Sequence, residues 1–510
     1  MSDTASGDDA RSDPVDERSR RLEKVAAMRS SGIDPYPLRF DRTHTTDELH
    51  EQWDHLDSGA ETDSVVRVAG RVLLLRRQGK LTFATLRDGT GSVQLFVSRD
   101  ALGEARHLAF DDLDLGDWVG IEGTVMKTRK GELSVKPTAF ELLAKALRPL
   151  PEKWHGLTDT DTRFRQRYVD LIANDDARRV FAIRFEVIAT IRRVLSTRRF
   201  VEVETPVLHV QAGGAEARPF ETHHNALDME LTLRIALELH LKRLLVGGLE
   251  RVFEIGRVFR NEGLSTRHNP EFTMLELYEA FADYTDMMSL TETLVAECAR
   301  AATGSTIVAV DGTTIDLAPP WPRSTMLDLI EEHAGERVHP SDAIDALRGA
   351  CDRHEVPFDA AWGPGKLVLE LYEKCVEPNL QAPVFVLDYP KEVSPLARTH
   401  RDDPALVERF EAVVLGRELA NAFSELNDPI DQRARFEAQA ALAAAGDDEA
   451  HGVDEDYVRA LEYGLPPCGG LGIGVDRLVM LVAGVSSIRE VILFPHLRPE
   501  MGESGSKEPR

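Results

Sequence analysis

Between residues 65 and 143 apolar side chains fall on alternate positions. Val66, Val68, Gly70 and Val72 alternate with Arg67, Ala69 and Arg71, the period-two pattern of a half-buried strand. Thr82–Leu86, Ser92–Val97, Trp118–Met126 and Glu132–Leu142 continue it, with a turn signal at Asp88-Gly89. Five short strands separated by turns predict a small barrel, and five is the strand number of the OB-fold.

From about residue 160 the pattern changes. Asp176–Arg199 carries apolar residues at helical spacing, and Phe200–Glu204 reads as a strand stopped by Pro206. Val252–Phe259 and Phe272–Phe281 read as strands around a polar, glycine-containing loop, and Glu418–Leu426 as another. Paired strands around a loop predict an antiparallel sheet flanked by helices, so the fold class is α+β rather than doubly wound. Upstream, Val15–Gly32 reads as a charged helix ended by Gly32 and by the breaker Asp34-Pro35-Tyr36-Pro37. Ala438–Gly446 is alanine-rich and reads as an ordinary helix. The expected organisation is a polar tail and helical extension over 1–60, the barrel over 61–148, a linker over 149–175 signalled by the stretch Leu147-Arg148-Pro149-Leu150-Pro151 across the boundary, a large α+β domain over 176–500 and a flexible tail over 501–510.

A chain of 510 residues exceeds what one core usually holds, which agrees with more than one domain. Its 42% hydrophobic and 29% charged content is that of a folded soluble protein. The longest apolar runs, such as Leu478–Gly484, are too short to span a bilayer, so no membrane is expected as a partner. Met1–Arg20 is polar and acidic, which predicts a tail rather than a targeting segment and hence the cytoplasm. Cys298, Cys351, Cys375 and Cys468 lie far apart, which argues for a reducing compartment and against a zinc site. The net charge of −26 does not suggest a general nucleic-acid binder but leaves room for a local basic patch.

Candidate chemistry starts on the strand at Phe272. Phe272, Met274, Glu276, Tyr278 and Ala280 share one face, which sets a carboxylate among apolar side chains. Burying it unpaired is expensive, so it calls for a cation. Asn421, Phe423 and Glu425 repeat the arrangement, and Glu238 sits in the apolar setting Ile235-Ala236-Leu237-Glu238-Leu239. For any one carboxylate alone, pairing with an internal arginine or with solvent is the stronger reading; three in apolar settings make a cation pocket more plausible, though spacing does not show that they converge. Arg260, at a strand end before a polar loop that reaches His268, suits bidentate phosphate contact or a place at the surface. Gly469-Gly470-Leu471-Gly472-Ile473-Gly474 permits close approach of a ligand or of a packed helix, and Arg477 follows at a helix start. Glu411 and Glu418, seven apart, lie on one face of a helix or on opposite faces of a strand, and serve as oxygen ligands for magnesium or as solvated charges.

These stretches resemble the three signature motifs of class II aminoacyl-tRNA synthetases, in their lysyl form. Phe200–Pro206 resembles the first motif. Phe259-Arg260-Asn261-Glu262-Gly263, running on through His268-Asn269-Pro270-Glu271-Phe272-Thr273-Met274, resembles the second, and Gly470–Arg477 the third. Ala212-Gly213-Gly214-Ala215, Thr222–Asp228, Asn421–Asp428, Ala460–Pro467, His155–Asp159 and Arg165–Leu171 add features of the lysyl group. The resemblance covers about residues 20 to 500.

It implies lysine–tRNA ligase activity, forming lysyl-adenylate from lysine and ATP with magnesium as cofactor, and tRNA(Lys) as acceptor. It also implies a homodimer built through the first motif. By the same resemblance Arg260 and Arg477 are catalytic. The ATP site is Arg260, Glu262, His268, Phe272, Glu411, Glu418 and Arg477, with Glu411 and Glu418 holding magnesium. Glu238 and Glu425 face the ammonium groups of lysine, and Gly214, Glu276, Tyr278, Asn421 and Phe423 line the rest of its pocket. In the barrel Arg77, Phe83, Gln94 and Glu132 match anticodon-reading positions. The chain departs from the family pattern at Leu237 (usually proline), His240 and Thr232 (usually tyrosine), Arg199 (usually glycine) and Glu216, an added charge. The competing expectation is a relative that makes lysyl-adenylate for a protein or lipid acceptor.

Overall fold

The computed structural model describes residues 14–151, 157–215, 217–444 and 452–499. The chain divides into two compact units, Met1–Gly156 and Leu157–Arg510.

The first unit is a closed barrel of β1 (Glu61–Gln78), β2 (Leu81–Arg87), β3 (Ser92–Ser98), β4 (Trp118–Lys127) and β5 (Leu133–Ala144), in the order β1-β2-β3-β5-β4. The long β1 serves two partners: Glu61–Arg71 pairs with β4 and Arg71–Gln78 with β2. Gly70 sits where it changes partner, and a Cβ there would lie 2.6 Å from the Arg87 carbonyl oxygen. Alternation places Val66, Val68, Val72, Leu86, Leu95 and Val125 inside, fully buried. The helix Thr46–Trp53, fixed by a Thr45–Glu48 capping box, adds Leu49 to this core.

The second unit carries β6 (Val201–Glu202), β7 (Leu208–His209), β8 (Glu221–His224), β9 (Met229–Leu233), β10 (Arg251–Phe259), β11 (Glu271–Ala280), β12 (Ile307–Val310), β13 (Thr313–Asp316), β14 (Arg323–Thr325), β15 (Val384–Pro390), β16 (Leu406–Val413), β17 (Glu418–Ser424) and β18 (Cys468–Gly474). Eight of them form one sheet, β14-β15-β16-β17-β18-β11-β10-β6, antiparallel except at β14/β15 and β10/β6. The expected α+β class with an antiparallel sheet therefore holds. Helices Asp175–Thr197, Tyr284–Thr303 and Val475–Ala483 join one core with Phe253, Leu275, Leu277, Phe410 and Ile473 of the sheet. Because β11 alternates, that core takes Leu275 and Leu277 and turns Glu276 and Tyr278 to the opposite face. The site is built on that opposite face.

Three expectations change. The segment 149–175 is not a bare linker: Thr160–Arg165 and Arg167–Ala173 are helices, and buried Arg167 donates to the carbonyls of Arg489 (2.7 Å) and Leu493 (3.2 Å). Helices of six and seven residues are too short to leave a periodic signal. The strand expected over Phe200–Glu204 shrinks to Val201–Glu202, because Thr205 turns aside to give its N–H (3.0 Å) and hydroxyl (2.7 Å) to Glu254. The helix ending at Thr197 leaves Arg199 at φ 66°, the left-handed conformation that glycine takes freely. Part of the Ala438–Gly446 stretch lies in the helix Pro429–Ala444 and the remainder outside the described residues, as do residues 1–13, the tail 501–510, His155 and Glu216; residues 14–20 of the expected first tail instead open the helix Pro14–Ser30. No helix among the described residues is long and apolar enough to cross a membrane.

Candidate active site

The open face of the large sheet forms a cleft of about 420 Å³. Its floor is the glycine strand β18. Gly472 stands between Asn421 of β17 and Glu276 of β11, and Gly470 between Phe423 and Tyr278. A Cβ at Gly470 would overlap Glu425 Oε1 and approach the Tyr278 ring to 2.5 Å. The glycines thus keep a groove open between two rows of functional side chains. Gly214, at φ 87°, approaches from the side; a Cβ there would press on Ala236 at 3.1 Å.

At one end the acidic residues converge. Glu276 is buried and accepts the Leu237 N–H (3.0 Å) and the Tyr278 hydroxyl (3.1 Å). Burial, with the charge of Glu238 behind it, raises its pKa to about 7. Glu238 opens the helix Glu238–Val246, and Glu425 lies one residue past β17 and beneath Gly470. Lys242, fully buried, meets both Glu238 and Glu425. Burial and the other carboxylates push the Glu425 acid upward against the pull of Lys242. The departure at Leu237 matters here: a proline has no N–H for Glu276. His240 stacks on His209 with ring centroids 4.7 Å apart, and burial lowers the pKa of both.

At the other end lie the basic and aromatic groups. Arg260 follows β10 directly, and its guanidinium stands 5.3 Å from the Phe272 ring centre. Its Nε is buried with no hydrogen-bond partner among the described residues. Arg477 donates to the Glu418 carbonyl (2.7 Å) and side chain (3.2 Å). Its helix is fixed to β11 by Asp476, which accepts the Thr273 N–H at 2.7 Å and pairs with buried Arg184. Glu262 and His268 are exposed at the rim, and His268 contacts Ser265 Oγ at 3.1 Å.

Glu411 and Glu418 share neither a helix nor a strand. They sit on the neighbouring strands β16 and β17 and both line the cleft. Burial and the charge of Glu418 raise the Glu411 pKa to about 7. Two carboxylates whose charges oppose each other fit a divalent cation that keeps waters and takes further oxygens from phosphates. No group of three or more metal-ligating side chains is found among the described residues.

Of the expected cleft residues, Gly214, Glu238, Arg260, Glu262, His268, Phe272, Glu276, Tyr278, Glu411, Glu418, Asn421, Phe423 and Arg477 line one cavity, and Glu425 lies directly behind it. Two residues escaped the sequence reading. Lys242 is four residues after Glu238, the spacing that brings helix side chains together. Arg409 is two residues before Glu411 and binds it at 2.6 Å and Asn421 at 3.1 Å, its guanidinium 4.3 Å from the Tyr389 ring centre.

In the barrel Phe83 and Phe96 are cross-strand neighbours in edge-to-face contact, 5.5 Å between ring centres, half-buried on the outer surface. Gln94, on the same outward parity, donates to Ser134 at 2.9 Å, and Glu132 is exposed just before β5. Arg77 turns aside to the Asp111 carbonyl (3.0 Å from Nε), while Arg76 stands opposite Phe83.

Comparison with known proteins agrees with this geometry. The family model for class II tRNA synthetases (D, K and N) matches residues 159–498, and that for the OB-fold nucleic acid binding domain matches 66–143. Lysine–tRNA ligase of Moorella thermoacetica is 54% identical over 480 residues, covering 94% of this chain and 97% of the relative. That of Trichormus variabilis is 53% identical over 494 residues, covering 95% and 88%. That of a Synechococcus species is 54% identical over 484 residues, covering 95% and 96%. The chain therefore belongs to the class II tRNA synthetases of the D, K and N group and, within them, to the lysine–tRNA ligases.

Proposed function

We propose that the cleft activates L-lysine with ATP and that the lysyl group is then passed to the 3′ end of tRNA(Lys). The carrying observation is the convergence of Glu238, Glu276 and Glu425 in a buried pocket that holds one internal cation, Lys242. Such a pocket favours a substrate that brings positive charge and disfavours an acidic one.

A lysine carboxylate oxygen attacks the α-phosphorus of ATP in line. The new phosphorus–oxygen bond forms as the bond to the β-phosphate breaks, and pyrophosphate leaves. Arg260, its buried Nε unpartnered beside Phe272, is placed to take up charge on the α-phosphate. Phe272 and Arg477 offer the two faces between which adenine lies. Glu411 and Glu418 would hold magnesium, which supplies neutralising charge to the phosphates. Glu262 and His268 close the rim. In the second step the terminal adenosine hydroxyl attacks the acyl carbon and AMP departs. No covalent enzyme intermediate is required, so positioning and charge neutralisation carry the rate.

The outer barrel face carrying Phe83, Phe96 and Gln94, with Glu132 and Arg77 at its margins, reads the anticodon by stacking unpaired bases on aromatic rings. A homodimer is supported by the exposed apolar residues Val201, Val207, Leu208 and Val210 in and after the first-motif stretch; sedimentation giving a stable, active monomer overturns it. The cytoplasm is the proposed compartment. The function as a whole is tested by ATP–pyrophosphate exchange with each of the twenty amino acids, followed by charging of tRNA. Lysine alone should support exchange, and tRNA(Lys) should be charged. Exchange with aspartate or asparagine in place of lysine overturns the pocket reading; lysine exchange without tRNA charging assigns the adenylate to another acceptor.

A further inference from the structure

The lysine pocket contains a lysine of its own. Lys242 is fully buried on the helix Glu238–Val246, and its Nζ meets Glu238 Oε1 and Glu425 Oε2. It also stands 5.8 Å from the Tyr278 ring centre, within cation–π range. Glu425 Oε1 is buried and takes no hydrogen bond among the described residues. That oxygen lies against Gly470, the glycine of the cleft floor.

With all three carboxylates ionised, Glu238, Glu276 and Glu425 against Lys242 leave two negative charges (three minus one). Free lysine carries two ammonium groups. The internal ammonium satisfies one oxygen of each carboxylate it touches. It leaves the pocket short of two positive charges rather than three, and it ties the two carboxylates together through one oxygen of each.

We propose that Lys242 is a positioning residue that sets amino-acid selectivity: its ammonium clamps Glu238 to Glu425 so that their remaining oxygens face the two ammonium groups of the substrate. This rests on the lysine reading of the cleft. An amino acid with an uncharged side chain would leave one carboxylate unmatched in a buried site, which is how the clamp enforces choice. Mere packing by the same side chain would need its volume but not its charge.

The test compares variants of the full-length protein in lysine-dependent pyrophosphate exchange. Lys242→Met keeps length and volume and removes charge. It should raise the lysine KM about 100-fold, as misplaced binding groups do, with a smaller fall in kcat and an unchanged ATP KM. Lys242→Ala should be restored by ethylammonium and not by ethanol. Normal lysine KM in Lys242→Met, or no preference for the cation in rescuing Lys242→Ala, overturns the proposal. Should Lys242→Met fail to fold, the paired variant Lys242→Met/Glu425→Gln keeps the pocket's net charge and must fold, read by thermal unfolding and its shift with ATP; failure of the pair makes Lys242 a packing residue and ends the proposal. Failure of the unaltered protein to use lysine overturns the function itself, an outcome distinct from either.

Discussion

The barrel face and the cleft use side chains in opposite ways. On the barrel, Phe83, Phe96 and Gln94 come from two strands of one hairpin and stay half-exposed. In the cleft, Glu238, Glu276, Glu425 and Lys242 come from segments nearly 190 residues apart and are all buried. A half-exposed aromatic contributes a stacking surface that any base can use. A buried carboxylate is costly unless a cation arrives, so it selects its ligand by charge. The difference teaches that damage to the barrel should weaken one step by a modest factor, whereas damage to the cleft should stop the chemistry.

The largest effect belongs to Arg260→Ala. Exchange and tRNA charging should both fall by about 10³-fold or more, since the role proposed for Arg260 is to meet charge that develops on the α-phosphate. A variant that retains a tenth of wild-type exchange removes Arg260 from the reaction. Next comes Glu425→Gln. Loss of one partner from a buried pair costs about 3–5 kcal/mol, so kcat/KM for lysine should drop by at least about 10²-fold while ATP KM holds. Equal losses for lysine and ATP would mean a collapsed cleft rather than a lost contact.

Phe83→Ala sharpens the contrast from the barrel side. Exchange should be spared and charging should fall about tenfold, matching the 1–3 kcal/mol or so of one stacked base. Normal charging by the folded variant excludes this ring from anticodon reading. A smaller effect follows from pH. Glu276, raised from 4.5 to about 7 by burial and Glu238, is neutral below that pH in the unliganded protein. Lysine KM should therefore fall as pH rises from about 6 to 8, by up to about tenfold per unit. The same shift makes the unliganded protein lose stability as pH rises from 4.5 through about 7, because the folded state holds the proton that the unfolded state releases. A flat lysine KM across this range shows that Glu276 is already ionised. The smallest effect is Arg199→Gly, which relieves a left-handed non-glycine residue and should add up to about 1 kcal/mol of thermal stability with no change in exchange.

Much of this was legible in the sequence, for reasons that differ by region. Alternation placed the barrel strands, most cleanly β2 and β3, where buried residues alternate with more exposed ones from end to end. It also placed Glu276 beside Tyr278 and Asn421 beside Phe423. What it could not supply was convergence: Glu411 and Glu418 proved to lie on neighbouring strands, an arrangement that a spacing of seven does not reveal. Lys242 was hidden because a lysine on an amphipathic helix looks like a solvated one. Only the pairing with Glu238 one turn before it and with Glu425 of a distant segment marks it as an inward residue. The hydrogen bond from Leu237 to Glu276 was hidden because backbone donors leave no mark in a side-chain pattern.

The central claim is that buried carboxylates choose the substrate by its second ammonium group, and one measurement bears on it most directly: pyrophosphate exchange with lysine beside norleucine, which has the same chain without the terminal nitrogen. A pocket built to receive that ammonium should favour lysine by about 10⁴-fold in kcat/KM. A ratio within tenfold of unity would contradict the account.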